Sequence, residues 1–240
     1  MKTTDKERHY EGADLESMAE ARNYYQWMTE EFKPFVHGTV VEVGAGVGTF
    51  TERLAKLKPK QLYAFEPTEE MGPKLAQNMK HRKNVVVVQD YLKSQLKQLK
   101  GKADVVIYIN VLEHVERDDQ ELKTVFDVLK PGGSLLIYVP ALQGLYGSFD
   151  EQVGHYRRYS KQEMRGKLEN AGFSVEELYY SDIYGMLPWF VNFKILKQRR
   201  LNQASIRIYD RFAIPVIRFQ EKLFKPPVGK NLWAIAKKPK

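Results

Sequence analysis

Three glycines at alternate positions, Gly44, Gly46 and Gly48, lie between an apolar run and a helical pattern in residues 40–50. Glycine has no Cβ, so such a turn lets a ligand lie directly against the backbone. The free N–H groups of the following helix then point at whatever fills the turn. Glu66 closes the next apolar segment, one helix and one strand further on. A carboxylate beside the turn can accept both hydroxyl protons of a ribose, so the pair predicts a nucleoside-binding crevice. A second polar cluster spans residues 146–160 and holds His155, Tyr156, Arg157, Arg158 and Ser160. Its donors suit a carboxylate, a phosphate or a sugar hydroxyl, which makes Tyr156, Arg157 and Arg158 candidate substrate ligands. The structural alternative is that Ser160 caps a helix while the arginines pair with acids such as Asp150 and Glu151. An imidazole near neutral pH can take a proton from a nucleophile, and His155 is the preferred candidate, ahead of His114.

Spacing narrows the nucleoside. The dinucleotide fingerprint G-x-G-x-x-G needs a third glycine where Thr49 stands. The pattern at 42–48 is instead E-x-G-x-G-x-G, which resembles motif I of the class I S-adenosylmethionine (SAM)-dependent methyltransferases. Four further segments resemble that family in its order: Ala64-Phe65-Glu66-Pro67, Val88-Gln89-Asp90-Tyr91, Asn110-Val111-Leu112-Glu113-His114 and Leu129-Lys130-Pro131-Gly132-Gly133. The resemblance implies SAM as cofactor and S-adenosylhomocysteine as product. It implies that Gly44, Ala45, Gly46 and Gly48 pass the methionyl part along the backbone, with Glu42 orienting that loop or meeting the ammonium. It further implies that Glu66 and Pro67 hold the ribose, Asp90 and Tyr91 the adenine, and Asn110 the end where cofactor and substrate meet. His114 also has a structural or cofactor-side reading, because Leu-Glu-His occurs in family members with unrelated substrates. Gly154-His155-Tyr156-Arg157-Arg158-Tyr159-Ser160 is similar to a bacterial subgroup associated with glycan or glycolipid pathways.

These residues need a scaffold that brings strand ends together. Strands are expected near 40–43, 61–66, 85–88, 104–109, 134–139, 174–180 and 231–237, with helices between most of them. That is an α/β, Rossmann-like, seven-stranded and mostly parallel sheet with helices on both faces; the last strand is antiparallel in the resembled family. The continuous β-branched runs at 85–88 and 105–107 suggest strands covered on both faces. Pro131-Gly132-Gly133 reads as a turn. Residues 13–36 look helical, with Tyr24, Tyr25, Trp27, Met28 and Phe32 as the apolar set. The expected organisation is an N-terminal helical cover (1–36), a SAM-binding core (37–185), a basic helical insertion (186–229) and a final core strand (230–240).

Within the insertion, 204–225 has a helical pattern that Pro215 should kink or divide. Arg207, Arg211, Arg218, Lys222 and Lys225 fall within an arc of about 60° at roughly 100° per residue. Ile208, Tyr209, Phe212, Val216, Phe219 and Leu223 fall on another side. The chain carries a formal charge of +8, yet residues 186–240 alone hold thirteen Lys or Arg against Asp210 and Glu221. This excess suggests an anionic partner. The apolar side either packs on the core or, with the cations, lies on an anionic membrane through 204–225; nucleic acid is the least favoured partner.

With no cysteine, a disulfide framework and a Cys-based metal or nucleophile site are excluded, and no metal is expected. The polar N-terminus and the lack of a long apolar run suggest a cytoplasmic protein, at most peripheral to a membrane. The expected function is SAM-dependent methyl transfer to O or N of a small anionic or glycosylated acceptor, including a lipid-linked one. An RNA or DNA methyltransferase is the enzyme alternative; Asn110-Val111-Leu112-Glu113 replaces the [N/D]-P-P-[Y/F] segment typical of base-amine methylation. A non-catalytic protein that keeps the fold and binds through its basic helices is the other alternative.

Overall fold

The computed structural model describes residues 21–240, so the expected helical turns at 13–20 lie outside it. Seven strands form one sheet in the order β3-β2-β1-β4-β5-β7-β6. They are β1 (Thr39–Val43), β2 (Gln61–Phe65), β3 (Val85–Val88), β4 (Ala103–Ile109), β5 (Leu129–Pro140), β6 (Ser174–Ser181) and β7 (Asn231–Lys237). β7 runs antiparallel to both β5 and β6, and the other pairings are parallel. The order reverses between β1 and β4, so their carboxyl ends diverge and open a crevice there.

Alternation along each strand divides the core into two layers. Val40, Leu62, Val105, Ile107, Leu136, Tyr138 and Trp233 face one side. They pack against α1 (Arg22–Phe32) and α2 (Thr49–Lys56). Val41, Val106, Tyr108, Leu135, Ile137 and Leu232 face the other side, against α5 (Asp118–Val128) and α7 (Lys161–Asn170). Between these elements come α3 (Met71–Met79), α4 (Leu96–Leu99) and the short α6 (Ser148–Gln152).

Two strand expectations need correction. Val85–Val88 is not covered on both faces: β3 is the sheet edge, its residues are only partly buried, and Val86 is exposed. Pro131-Gly132-Gly133 is not a turn between elements but a bulge inside β5. Leu129 pairs with Ala103 and Ser134 with Val105, so extra residues on β5 loop out. Gly132 takes the left-handed conformation there (φ +80), and its N–H donates to the Lys238 carbonyl at 2.8 Å.

Between β6 and β7 the chain forms helices, and among the described residues none is long and apolar enough to cross a membrane. α8 (Met186–Trp189) widens into a π-helical stretch at Phe190–Ile195. α9 (Gln203–Ile208) continues through a second π-helical stretch, Tyr209–Ala213, into α10 (Ile214–Leu223). Pro215 therefore does not divide the element. It sits in the first turn of α10, where the missing N–H is tolerated, and the helix widens just before it.

Of the two placements left open for the apolar side of α9–α10, packing on the core is not the one seen. Ile214, Ile217, Asp210, Gln220 and Glu221 are buried, whereas Ile208, Phe212, Val216, Phe219 and Leu223 are exposed. The buried acids have specific partners. Asp210 accepts the N–H groups of Asn23 at 3.1 Å and Tyr24 at 2.8 Å, supplying from a distant segment the cap that α1 lacks at Ala21. Glu221 accepts the Ser181 hydroxyl at 3.0 Å and the Asp182 N–H at 2.8 Å. Arg218 pairs with Glu30 of α1. The insertion is thereby tied to the N-terminal helix and to the end of β6.

Candidate active site

A cleft of about 2010 Å³ opens along the carboxyl ends of the strands. Its volume exceeds the roughly 300–1,000 Å³ of a site for one small ligand, so it has room for two.

One end is the glycine turn. Gly44 and Gly46 hold φ +71 and +56 and, with Ala45, line the cleft. The N–H groups of Gly44 and Ala45 both donate to the Phe65 carbonyl at 2.9 Å, pinning the turn to β2. A Cβ on Gly44 would lie 2.3 Å from a Val111 methyl, which explains why this position excludes a side chain. Gly48 does something else. It is the left-handed residue before α2, outside the cleft lining, and a Cβ there would meet Leu75 at 2.8 Å. What the structure places against Gly48 is α3, through Leu75 and Met79.

Glu66 is buried, with one carboxylate oxygen accepting the Gly46 N–H at 2.8 Å and the other the Thr68 N–H and hydroxyl at 3.0 and 2.7 Å. It therefore bridges the turn to the end of β2 and, with Pro67, lines the cleft. Asp90, exposed in the cleft, has one oxygen on the Tyr91 N–H at 2.7 Å. Glu42 is buried, and one of its oxygens has no hydrogen-bond partner among the described residues. Burial raises its pKa to about 8, with nearby Glu66 adding to the rise. A buried carboxylate oxygen without a partner is costly, and a cationic ligand group in the cleft would satisfy it. Asn110 follows β4 in the left-handed conformation (φ +51) and donates to the Tyr24 hydroxyl of α1 at 3.1 Å. A glycine turn, a carboxylate tied to it, an unpaired buried acid and an exposed carboxylate at the next strand end fit a nucleoside joined to an amino acid, as in SAM.

The other end gathers the loops after β4 and β5. Glu113 and His114 lie on a short helical turn, Leu112–His114, and His155 follows α6. The His114 and His155 rings stand edge to face, with centroids 4.5 Å apart. His155 Nδ1 lies 2.7 Å from Asp150 Oδ1, and its Nε2 lies 3.8 Å from Glu113 Oε1. Burial works to raise the Asp150 pKa, but His155 and Arg158 outweigh it and hold the carboxyl below its ordinary value. Burial and the adjacent His155 depress His114 to about 3, so its imidazole is neutral. This disfavours His114 as a proton acceptor.

Both arginines pair with acids of the fold. Arg157 lies outside the cleft lining, pairs with Asp118 at 2.7 Å and donates to the carbonyls of Val115 at 3.2 Å and Glu116 at 2.8 Å. Arg158 is buried, donates to Asp150 at 2.9 Å and stacks over Trp189 with 4.6 Å to the ring centroid. Their guanidinium groups meet carboxylates of the fold, as the structural alternative has it, and Arg158 also lines the cleft. Ser160 accepts the Glu163 N–H at 3.1 Å as a helix cap. Tyr156 remains exposed at the cleft wall. Sequence reasoning gave no role to Glu113, although it lies inside a quoted motif, and treated Asp150 only as an arginine partner. The insertion completes this end: Trp189, Arg199, Arg200, Ser205 and Tyr209 line the cleft.

The sheet order and the strand-end cleft define a Rossmann-like methyltransferase fold, and solved structures agree. A Haemonchus contortus phosphoethanolamine N-methyltransferase 2, in complex with phosphomonomethylethanolamine and S-adenosylhomocysteine, matches with TM-score 0.65 at 15% identity, over 98% of this chain and 60% of that one. The Bacillus subtilis YcgJ protein matches with TM-score 0.63 at 14% identity, over 91% and 99%. The [4+2]-cyclase SpnF matches with TM-score 0.61 at 17% identity, over 90% and 81%. At such identities the likeness is one of fold. No curated protein matches the chain. Residues 10–178 match the methyltransferase domain family, and the chain belongs to it. It is a SAM-dependent methyltransferase.

Proposed function

We propose that the chain methylates an O or N atom of a small anionic or glycosylated amphiphile that it takes from an anionic membrane surface. The observation that carries this reading is the two-sidedness of the insertion. Its inner side lines the acceptor end of the cleft through Ser205, Ile206 and Tyr209. Its outer side exposes Ile208, Phe212, Val216, Phe219 and Leu223, each 53–69% accessible. Arg207, Arg211, Lys222 and Lys225, all exposed, flank that strip. Aliphatic and aromatic groups beside a row of cations complement a leaflet with anionic headgroups. A helix lying there holds the acceptor end of the cleft at the surface from which an amphiphile enters.

Bound SAM supplies an electrophilic methyl group on a sulfonium. In this reading Gly44, Ala45 and Gly46 follow its methionyl part, Glu42 meets the ammonium, and Glu66 with Pro67 meets the ribose. Asp90 and Tyr91 flank the adenine, and Asn110 stands at the junction of the two compartments. His155, held by Asp150, stands at the acceptor end of the cleft, and Tyr156 forms part of the wall. Methyl displacement needs alignment first and proton removal second, and a cleft closed on one side by the insertion serves the first.

Co-sedimentation with vesicles of phosphatidylcholine, with and without about one third phosphatidylglycerol, tests the surface. Binding to the anionic vesicles that is lost in the double variant Phe219→Glu, Leu223→Glu supports it. A chain that binds S-adenosylhomocysteine yet ignores both vesicles overturns it. Transfer of labelled methyl from SAM into the lipid phase of a membrane extract then reads the acceptor class.

A further inference from the structure

We propose that Glu113, His114 and His155 form a binding site for a divalent transition-metal ion, of the zinc or manganese type, at the acceptor end of the cleft. Each offers one donor atom, and the three donors lie within 4.8 Å of one another. His155 is far from the other two in sequence, so only the fold assembles the set; this is why the sequence pointed to no metal.

Glu113 is the first reason. Its side chain is fully buried, and neither carboxylate oxygen has a hydrogen-bond partner among the described residues. The nearest cationic candidate, His155 Nε2, is 3.8 Å away, beyond hydrogen-bond reach. A carboxylate removed from water needs a positive partner, and a metal ion is one that fits between it and the imidazoles. Among the described residues Arg158 is the other cation that acts on Glu113, and it spends its guanidinium on Asp150 and the Ala141 carbonyl.

The support behind His155 is the second reason. Asp150 engages Nδ1 at 2.7 Å, which places the ring proton there and leaves the Nε2 lone pair turned toward Glu113. Asp150 is itself fixed by Arg158 Nε at 2.9 Å and by the Gly147 N–H at 2.9 Å. A carboxylate that anchors the far nitrogen of a histidine is the arrangement that orients metal-ligating imidazoles. His114 is oriented in turn by a hydrogen bond with the Val153 backbone. Donors about 2.0–2.2 Å from a common centre lie roughly 3.3 Å apart, so side-chain rotations of about an ångström close the set.

Two imidazoles and one carboxylate select a borderline transition ion over magnesium or calcium, which prefer oxygen donors. All three residues line the cleft, so the ion keeps open positions toward the acceptor. There it binds an acceptor hydroxyl and lowers its pKa: the O–H bond breaks heterolytically, the electron pair stays on the metal-bound oxygen, and the proton leaves to solvent. His155 is then a ligand and not a base. This role in the reaction rests on the acceptor compartment proposed above, whereas ion binding itself does not.

The test uses the full chain stripped with chelator and titrated with Mn²⁺, read by loss of the free-ion EPR signal, and with Zn²⁺ by calorimetry. One equivalent should bind with micromolar or tighter affinity. Glu113→Gln and His155→Ala should abolish binding, and Asp150→Asn, removing only the positioning group, should weaken it about 10–100-fold. S-adenosylhomocysteine affinity, read on the same samples, shows that each variant is folded and keeps the methyltransferase reading separate. Failure of the wild-type chain to take up either ion while binding S-adenosylhomocysteine overturns the site. So does stoichiometric uptake that survives in both Glu113→Gln and His155→Ala.

Discussion

Gly44→Ala is expected to damage the protein by two separable routes, and a second substitution should remove one of them. The first route is conformational: Gly44 sits at φ +71, where a residue with a Cβ loses roughly 1–2 kcal/mol. The second is steric. The added methyl would meet Val111 carbons at 2.3, 2.9 and 3.2 Å, all inside ordinary van der Waals separation. Val111 cannot simply turn away, because it follows Asn110, whose N–H is bound to the Tyr138 carbonyl at 2.8 Å. Overpacking of this kind costs about 1–3 kcal/mol, which brings the single variant to roughly 2–5 kcal/mol. Val111→Ala removes the obstructing methyl groups. Alone it should cost about 1 kcal/mol, since Val111 is only partly buried. In the double variant the two closest contacts disappear and only the Val111 Cβ at 3.2 Å remains, so it should be more stable than the sum of the singles predicts by about 1–3 kcal/mol. Urea unfolding of the four proteins gives this coupling directly, and titration with S-adenosylhomocysteine shows whether the turn recovers its ligand. A coupling within about 0.5 kcal/mol of zero would refute the steric account and leave the backbone conformation as the whole cause.

Asp210→Ala should cost about 1–2 kcal/mol, because the N–H groups of Asn23 and Tyr24 lose their acceptors, and hydrogen exchange at those two amides should accelerate more than in α2. Unchanged exchange there would mean that α1 does not depend on the insertion. Glu42 adds a pH dependence whose sign is fixed by its folded pKa of about 8, well above the ordinary 4.5. Its contribution to stability is complete below about 4.5 and is lost as pH rises through 8, with a slope approaching 1.4 kcal/mol per pH unit. Glu42→Gln should flatten that part of the profile of urea midpoints, and an identical slope in the variant would contradict the assignment. Arg157→Ala should lower stability by about 1–3 kcal/mol through Asp118 and leave S-adenosylhomocysteine affinity unchanged; a urea midpoint equal to that of the wild type would contradict the pairing with Asp118.

How far the sequence discloses such a protein depends on whether a residue's job is local. The glycine turn, the strands and Glu66 were legible because their signals lie within one βαβ unit: β-branched runs, a turn that only glycine can make, and an acid at a fixed distance. Gly48 shows the limit even there. The same lack of a Cβ makes room for Val111 at Gly44 in the cleft wall and for Leu75 and Met79 at Gly48, and only the positions of those side chains separate the two. Arg157 and Arg158 stayed open between substrate and fold for a related reason. Their partners, Asp118 and Asp150, sit at quite different distances along the chain, and a guanidinium offers the same donors to a carboxylate of the fold as to one of a substrate.

The insertion carries that argument furthest. A helical-wheel reading separates apolar from polar residues and assigns the apolar side to the core, which is right when each buried position is apolar. α9–α10 breaks the premise because its core-facing side includes Asp210, Gln220 and Glu221. Each acid is made affordable by a tertiary partner: the open end of α1 for Asp210, and Ser181 with the Asp182 backbone for Glu221. None of these partners is near in sequence. Once the acids hold the helix against the sheet, the side bearing Phe212, Phe219 and Leu223 must face outward, whatever its hydrophobicity. A fold that needed only to bury apolar surface would rotate this helix by roughly half a turn. The buried carboxylates prevent it, and they keep the inner side, with Tyr209, in the cleft wall while the apolar strip stays available at the surface.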